Sequence, residues 1–505
     1  MVFAPWTLLI SYLSLNIHII TLALKPCERQ LIDGNMKILL INPPVRHYMF
    51  PLGLGYIASC LREEGHDVNV LDIDGCRYPK EVVERKLKNH DFEAVGISGM
   101  ITTYPYVKWL ASIIKKEHSV PIVVGGTGGT SYPQLYLENT EADVVVIGEG
   151  ESTSKELFDA IENSRNLKDV AGIWYKEDGK ILQTPLRELI ENLDIVPYPA
   201  WELFPTEWYV TRGVWAAEAE ARRQMSILTT RGCPYQCAFC YHCFQGLKTR
   251  FRSPENVIGE IKELIEKYRT KFFNFADDLF VLNKGRVLDI CKKIKEENLD
   301  IKWSATGRVN LVDRELLQAM ASAGCVFIGY GIESGGQLIL NNMNKQATVE
   351  QAKRAIRLTR EAGIYPDCSF MIGFPGETRE TIRETVNFIK EMDLSLEGGF
   401  FFTTPYPGTL LWKYAKEKGL IPDDEALISN YGEMSQKLLV NFTNFTNEEL
   451  IAIKNRAEKE VYTNYFQHHP REVLIKNIKS ALRYYQRYGL RKTIAVARRS
   501  LLGYV

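Results

Sequence analysis

The sequence reads as an α/β protein: a doubly wound, flavodoxin-like (Rossmann-like) N-terminal domain, a partial (β/α)6 barrel of the TIM type, and a helical C-terminal region. Two observations predict this. Short apolar, β-rich runs alternate with amphipathic helical stretches from residue 36 to about residue 410, the pattern of parallel sheets. The ends of those runs are rich in Gly, Pro and Ser, as befits a fold that binds ligands beyond the carboxyl ends of its strands. A chain of 505 residues has room for roughly two to four domains at ~150 residues each.

In order along the chain, strands are expected at Lys37 to Asn42, Val68 to Leu71, Ala94 to Ser98, Ile122 to Gly125 and Val144 to Ile147, giving a first domain over residues 36–190. A proline-bearing segment, 191–225, reads as a linker or wrapping region. A second series then fills 226–410, with strands at Ser226 to Thr230, Phe272 to Phe275, Trp303 to Thr306, Val326 to Gly331, Ser369 to Ile372 and Gly398 to Thr403. Helices between them include Glu255 to Tyr268 and Arg314 to Ala323. Residues 411–505 read as helical and polar.

Lys plus Arg number 62 and Asp plus Glu 62, so the chain as a whole offers no charge argument for a polyanion partner. The balance hides a local excess: Arg471 to Val505 holds nine Lys or Arg against the single acid Glu472. There Leu474, Ile475, Ile478, Leu482 and Tyr485 recur at helical spacing among basic residues. Three readings of this tail stand: a helix packed on the barrel, peripheral membrane contact, and, least favoured, nucleic-acid binding. At the other end, Met1 to Leu24 carries no charged residue. Met36 opens the strand-like Met36-Lys-Ile-Leu-Leu-Ile-Asn42 and is read as the true start, with residues 1–35 a translated hydrophobic leader; a membrane anchor and a cleaved signal are the alternatives.

Ten cysteines are too few for a disulfide scaffold, and four of them, Cys233, Cys237, Cys240 and Cys243, fall within eleven residues. Cys233-x3-Cys237-x2-Cys240 follows the first strand of the second series, at the face where barrels place their chemistry. Three thiolates so spaced can hold three irons of a 4Fe-4S cluster and leave the fourth open. A zinc ribbon would need a second Cys pair at a distance, which is absent.

Arg231-Gly-Cys233-Pro-Tyr-Gln-Cys237-Ala-Phe-Cys240 resembles the radical S-adenosylmethionine (SAM) superfamily and matches its cysteine motif in full. The resemblance implies that Cys233, Cys237 and Cys240 ligate the cluster and that the open iron chelates SAM, which is cleaved to a 5′-deoxyadenosyl radical. It places Phe239 by the adenine and Asp277, in Phe275-Ala-Asp277-Asp278, near the methionine amine. Two adjacent acids after a strand are otherwise a helix cap. Arg308 would pair with the methionine carboxylate or else form a surface salt bridge; Glu333, in Gly331-Ile-Glu333-Ser-Gly335, would make a polar contact to SAM, and Gly373, in Met371-Ile-Gly373-Phe-Pro-Gly376-Glu377, would admit the adenine. Cys243 lies outside the motif and is a packing or substrate-pocket thiol.

Ser98-Gly-Met100 and Gly125-Gly126 resemble the serine and glycine pair of cobalamin-binding domains, in which small residues admit the nucleotide tail. A side chain at either glycine is expected to exclude cobalamin. No Asp-x-His-x-x-Gly occurs, so no motif histidine ligates cobalt, and His47 and His66 read as surface residues. The cobalamin is bound without a protein histidine, or the domain has lost it. Asn42-Pro-Pro44, Pro51-Leu-Gly53-Leu-Gly55 and Val146-Ile-Gly148-Glu-Gly150-Glu151 favour the first, since they are similar to the cobalamin-dependent branch of the superfamily.

That pairing implies methyl transfer to an unactivated carbon of a small-molecule, lipid or natural-product substrate, with oxidative cyclisation of the porphyrin ring cyclase kind as the alternative. It implies an electron donor such as ferredoxin or flavodoxin, and a cytoplasmic enzyme with or without membrane association. A transfer-RNA methylthiotransferase would need three more cluster cysteines in a first domain that offers Cys60 and Cys76. A non-enzymatic cobalamin sensor would leave the cysteine loop unexplained.

Overall fold

The computed structural model describes residues 36–45, 49–212, 223–241, 243–244, 246–396, 399–431, 436–475 and 477–478. The hydrophobic leader, His47 and the tail beyond residue 478 lie outside them.

The first sheet starts with β1 (Lys37–Asn42), β2 (Asp67–Asp72), β3 (Ala94–Ser98), β4 (Ile122–Gly125) and β5 (Val144–Val146), and continues into β6 (Ile173–Glu177) and β7 (Lys180–Gln183), in the order β2-β1-β3-β4-β5-β6-β7. The first five are parallel and bury nearly every side chain, because helices cover both faces. The last two form an antiparallel hairpin that the strand reading omitted. Its signal was present: Asp178 and Gly179 take φ of 50° and 73°, the left-handed pair of a tight hairpin turn.

The second sheet is wholly parallel, in the order β8 (Gln224–Ile227), β11 (Phe272–Phe275), β12 (Lys302–Gly307), β13 (Cys325–Glu333), β14 (Tyr365–Ile372), β15 (Phe400–Phe402). Between β8 and β11 the chain makes a separate antiparallel ribbon, β9 (Thr230–Arg231) with β10 (Arg250–Phe251). The strand expected over Ser226 to Thr230 therefore breaks after Ile227, because the amides of Thr229 and Thr230 donate to the Asp277 carboxylate at 2.5 and 2.9 Å.

One continuous apolar core joins the two sheets through the intervening segment, in which Trp201, Tyr209 and Val210 are buried. That segment wraps both sides: Ser59 Oγ donates to Tyr198 O at 2.6 Å, and Tyr198 Oη to Asn256 O at 2.8 Å. Beyond the barrel, Glu425 accepts from Tyr104 at 2.7 Å and Asp424 from Tyr132 at 2.7 Å, returning the C-terminal region to the first domain. A long helix, Asn447–His468, follows.

Candidate active site

The β9–β10 ribbon closes residues 232–249 into a loop at the carboxyl end of the barrel sheet, and that loop carries Cys233, Cys237, Cys240 and Cys243. Its middle is docked by backbone bonds, from Ala238 N to Met343 O at 2.9 Å and from Leu411 N to Ala238 O at 2.8 Å. Among the described residues no three His, Cys, Asp or Glu side chains converge as a single metal ion requires. A four-iron cluster does not ask for this, since each thiolate ligates a different iron. Burial pushes the Cys240 thiol up to about 12 and Cys233 upward as well, so a positive charge beside them is what would favour their thiolates.

Arg308 is buried, not part of a surface salt bridge. Its guanidinium stacks 3.6 Å from the centroid of Tyr235 and directs Nη1 to the Sγ of Cys237 at 3.7 Å, while Nε and Nη2 have no partner. A buried cation with two unpartnered nitrogens beside a cysteine of the loop fits a bound anionic group, the carboxylate of SAM included.

The carboxylate of Asp277 is occupied by Thr229 and Thr230, and Oγ1 of Thr229 adds a third bond at 2.5 Å. Neither acid caps the next helix, whose cap is Asn283. Asp278 is the exposed neighbour, close enough to raise the Cys233, Cys240 and Cys243 thiols by its charge.

Glu333 ends β13 at φ 68° and pairs with buried Lys345 at 2.9 Å. A Cβ at Gly331 would meet Oε1 of Glu333, so a side chain there would displace that carboxylate. Lys345 Nζ also lies 5.6 Å from the centroid of Phe239, which packs against the apolar cluster of Met343, Phe374 and Leu411. Gly373 follows β14 at φ 89° and donates its N–H to fully buried Glu377 at 2.5 Å; burial pushes that carboxyl up to about 7.

In the first domain Ser98 lies in register with Gly125 at the carboxyl ends of β3 and β4. Gly126 is required by the backbone itself: φ is 91°, and a Cβ would lie 2.8 Å from the Gly99 carbonyl oxygen. Gly125 is different. Its Cβ would approach nothing closer than Val146 at 3.9 Å, and one at Gly53 would meet nothing within 4 Å; Gly148, at φ 76°, is held to glycine by its backbone. Gly53 sits in the first turn of the helix Leu52–Glu63, where glycine costs stability. Glycines that packing does not demand leave free volume, which fits a bulky cofactor. His66, expected at the surface, is buried with both ring nitrogens unpartnered; it precedes β2 and so stands at the amino end of the sheet, away from these glycines.

The two cofactor loops touch. Cys243 lies beside Thr130 and Tyr241, and Tyr241 beside Ser131, so the segment after Gly126 meets the segment after Cys240. A Cβ at Gly408 would lie 2.7 Å from the Tyr241 ring. Below them Arg231 donates to Glu149 at 2.7 Å and to Glu151 at 2.5 Å, and Arg250 Nη1 donates to both oxygens of Glu149 at 2.8 Å, all four residues being buried. Arg231, Glu149 and Glu151 lie within motifs of the sequence, but nothing in one dimension tells that they face each other.

With this geometry in hand, comparison with known proteins settles the class. Residues 227–389 match the Radical SAM superfamily and residues 38–158 the B12 binding domain. The chain belongs to the cobalamin-dependent radical SAM methyltransferase family, whose relatives include cyclases. It is 36% identical to the uncharacterized methyltransferase PH0819 of Pyrococcus horikoshii, over 89% of this chain and 99% of that one. It is 28% identical to the anaerobic magnesium-protoporphyrin IX monomethyl ester cyclase of Rubrivivax gelatinosus, over 81% and 77% of the two chains. The fold matches the radical SAM methyltransferase TsrM of Kitasatospora setae, solved with cobalamin and a [4Fe-4S] cluster, at a TM-score of 0.64 and 21% identity, over 77% and 76% of the chains. The cofactors are accordingly a 4Fe-4S cluster, SAM and cobalamin. No helix among the described residues is long and apolar enough to cross a membrane.

Proposed function

We propose that this enzyme methylates an unactivated carbon of a small organic substrate held between its two cofactor loops. The observation that carries the reading is the contact of Thr130 and Ser131 with Tyr241 and Cys243, which brings the glycine-lined crevice of the first domain next to the cysteine loop. When bound, the cluster and SAM supply a hydrogen-abstracting radical and cobalamin a transferable methyl group.

The chain's own residues bind and orient. Cys233, Cys237 and Cys240 hold three irons. Arg308 receives the SAM carboxylate on its two unpartnered nitrogens, and Asp278 faces the amine, since Asp277 is taken up in holding Thr229 and Thr230. Glu333, paired with Lys345, supplies a polar contact; Phe239 and the left-handed turn at Gly373 flank the adenine. Ser98, Gly125 and Gly126 take the cobalamin tail. Electrons come from a small carrier such as ferredoxin or flavodoxin. Cyclisation is the second reading, favoured by the likeness to the R. gelatinosus cyclase.

Reconstituted enzyme, supplied anaerobically with cobalamin, a chemical reductant, SAM deuterated in its methyl group and small-molecule extract of the source cells, is expected to yield a product carrying one deuterated methyl, together with 5′-deoxyadenosine and S-adenosylhomocysteine. Substrate-dependent 5′-deoxyadenosine without labelled product would overturn methylation in favour of cyclisation.

One surface bears on the substrate and on location. Tyr462, Phe466, Leu474, Ile475 and Ile478 are all exposed, and Asn477 donates to Tyr462 at 3.4 Å, so the last described turns lie beside the long helix. This apolar patch leads into the basic tail sequence, a combination suited to peripheral contact with anionic lipid.

A further inference from the structure

Thr230–Arg231 pairs with Arg250–Phe251 in register Arg231 to Arg250, which sets two buried guanidinium groups side by side at the base of the cysteine loop. The barrel side of the loop leaves them uncompensated; the charge that neutralises them comes from Glu149 and Glu151 of the cobalamin domain. Glu149 is saturated: Oε1 accepts from Arg231 and Arg250, and Oε2 from Arg250 and from Ile190 N at 2.7 Å. Removing it would strand buried Arg250 and leave Arg231 with Glu151 alone, which is far costlier than loss of a surface pair.

The same carboxylate is tied to the glycine crevice. Gly148, the residue before Glu149, donates its N–H to Thr130 Oγ1 at 3.0 Å, and Thr130 N donates to Gly126 O at 3.0 Å. Thr130 also lies beside Cys243. Between Gly126 and Arg231, two residues before Cys233, there is thus a short path of hydrogen bonds, Gly126 to Thr130 to Gly148–Glu149 to Arg231, buried at its Glu149–Arg231 end. A ligand that presses on the crevice moves the loop of the cluster unless one of these bonds yields.

We propose that Glu149 is a positioning residue which couples the seating of cobalamin to assembly of the cluster loop, so that each cofactor strengthens the binding of the other. This rests on the assignment of the two cofactor sites given under Proposed function. By linkage the coupling must be reciprocal, and networks of this kind typically carry about fivefold or more in affinity.

The test is a thermodynamic cycle read as affinity for hydroxocobalamin by absorbance titration. Full-length protein with a reconstituted cluster is compared with the cluster-free Cys233→Ala/Cys237→Ala/Cys240→Ala protein, each with and without Glu149→Gln. Without Glu149→Gln the cluster is expected to tighten hydroxocobalamin binding at least about fivefold; with it the two affinities should converge. Thr130→Val, which breaks the path and leaves no buried charge, should lower the ratio toward one even if Glu149→Gln fails to fold. A ratio of one in the natural sequence, or an undiminished ratio in Thr130→Val and in a folded Glu149→Gln, overturns the proposal. Absence of any hydroxocobalamin binding or any cluster in the natural sequence is a separate outcome: it refutes the site assignment itself and this inference with it.

Discussion

Arg308 holds its Nη1 3.7 Å from the Sγ of Cys237 while Nε and Nη2 stay buried and unpartnered. Because that guanidinium is poised for an anion, Arg308→Met should weaken SAM binding to the cluster-loaded protein by about 10- to 100-fold, the worth of a charged hydrogen bond. Iron content should stay unchanged, since the residue is not a ligand. Equilibrium binding of SAM alongside iron analysis checks both halves; Arg308→Lys should not restore binding, as a point charge cannot offer the planar fork.

Alanine at Cys233, Cys237 or Cys240 should abolish iron and sulfide incorporation and SAM cleavage. Cys243→Ala should keep the cluster, since that thiol lies against Thr130 and Tyr241, outside the Cys-x3-Cys-x2-Cys spacing. Loss of iron in the Cys243 variant alone would show that the ligands are misassigned.

Gly126→Leu would have been the natural probe of the cobalamin crevice, but its φ of 91° and the nearby Gly99 carbonyl make any side chain there a backbone fault. Gly125 separates the effects. Gly125→Val should lower corrinoid content of the purified protein about tenfold or more while its melting temperature, measured without cobalamin, stays within a few degrees, about 1 kcal/mol. Gly126→Ala should destabilise the cobalamin-free protein by about 1–2 kcal/mol.

Glu377 carries a pH dependence. Its carboxyl is raised from 4.5 to about 7 by burial, so the folded state holds a proton that the unfolded state has released across that interval. Stability from this group is therefore fully present below about pH 4.5, falls as pH rises to about 7, and is flat beyond, a loss on the order of 3 kcal/mol. Thermal melts of wild type and Glu377→Gln should diverge between pH 5 and pH 7.5 (about 3 kcal/mol at most), with the variant gaining relative stability as pH rises.

Full-length protein should sediment with vesicles of anionic lipid and be released by salt. Phe466→Ser/Ile475→Ser, two exposed positions, should weaken that binding about tenfold without changing the melting temperature, since each removes apolar area that the folded protein leaves uncovered. Unchanged sedimentation of the double variant would remove the patch from consideration.

The order of elements, the parallel sheets, and the spacing Cys233-x3-Cys237-x2-Cys240 were legible from the sequence, because period, length and ligand spacing are local properties of the chain. The β3 and β4 strands were expected at the residues where they occur. What tertiary structure alone decided is which polar groups face one another. Asp277 and Asp278 are adjacent and chemically identical, yet one braces Thr229 and the other faces the cysteines, because successive residues leaving a strand point opposite ways. Arg308 is buried instead of a surface charge, His66 is buried instead of exposed, and Glu149 neutralises Arg231 across 82 residues of chain, since burial and long-range charge pairing depend on how the two sheets dock and not on any local pattern.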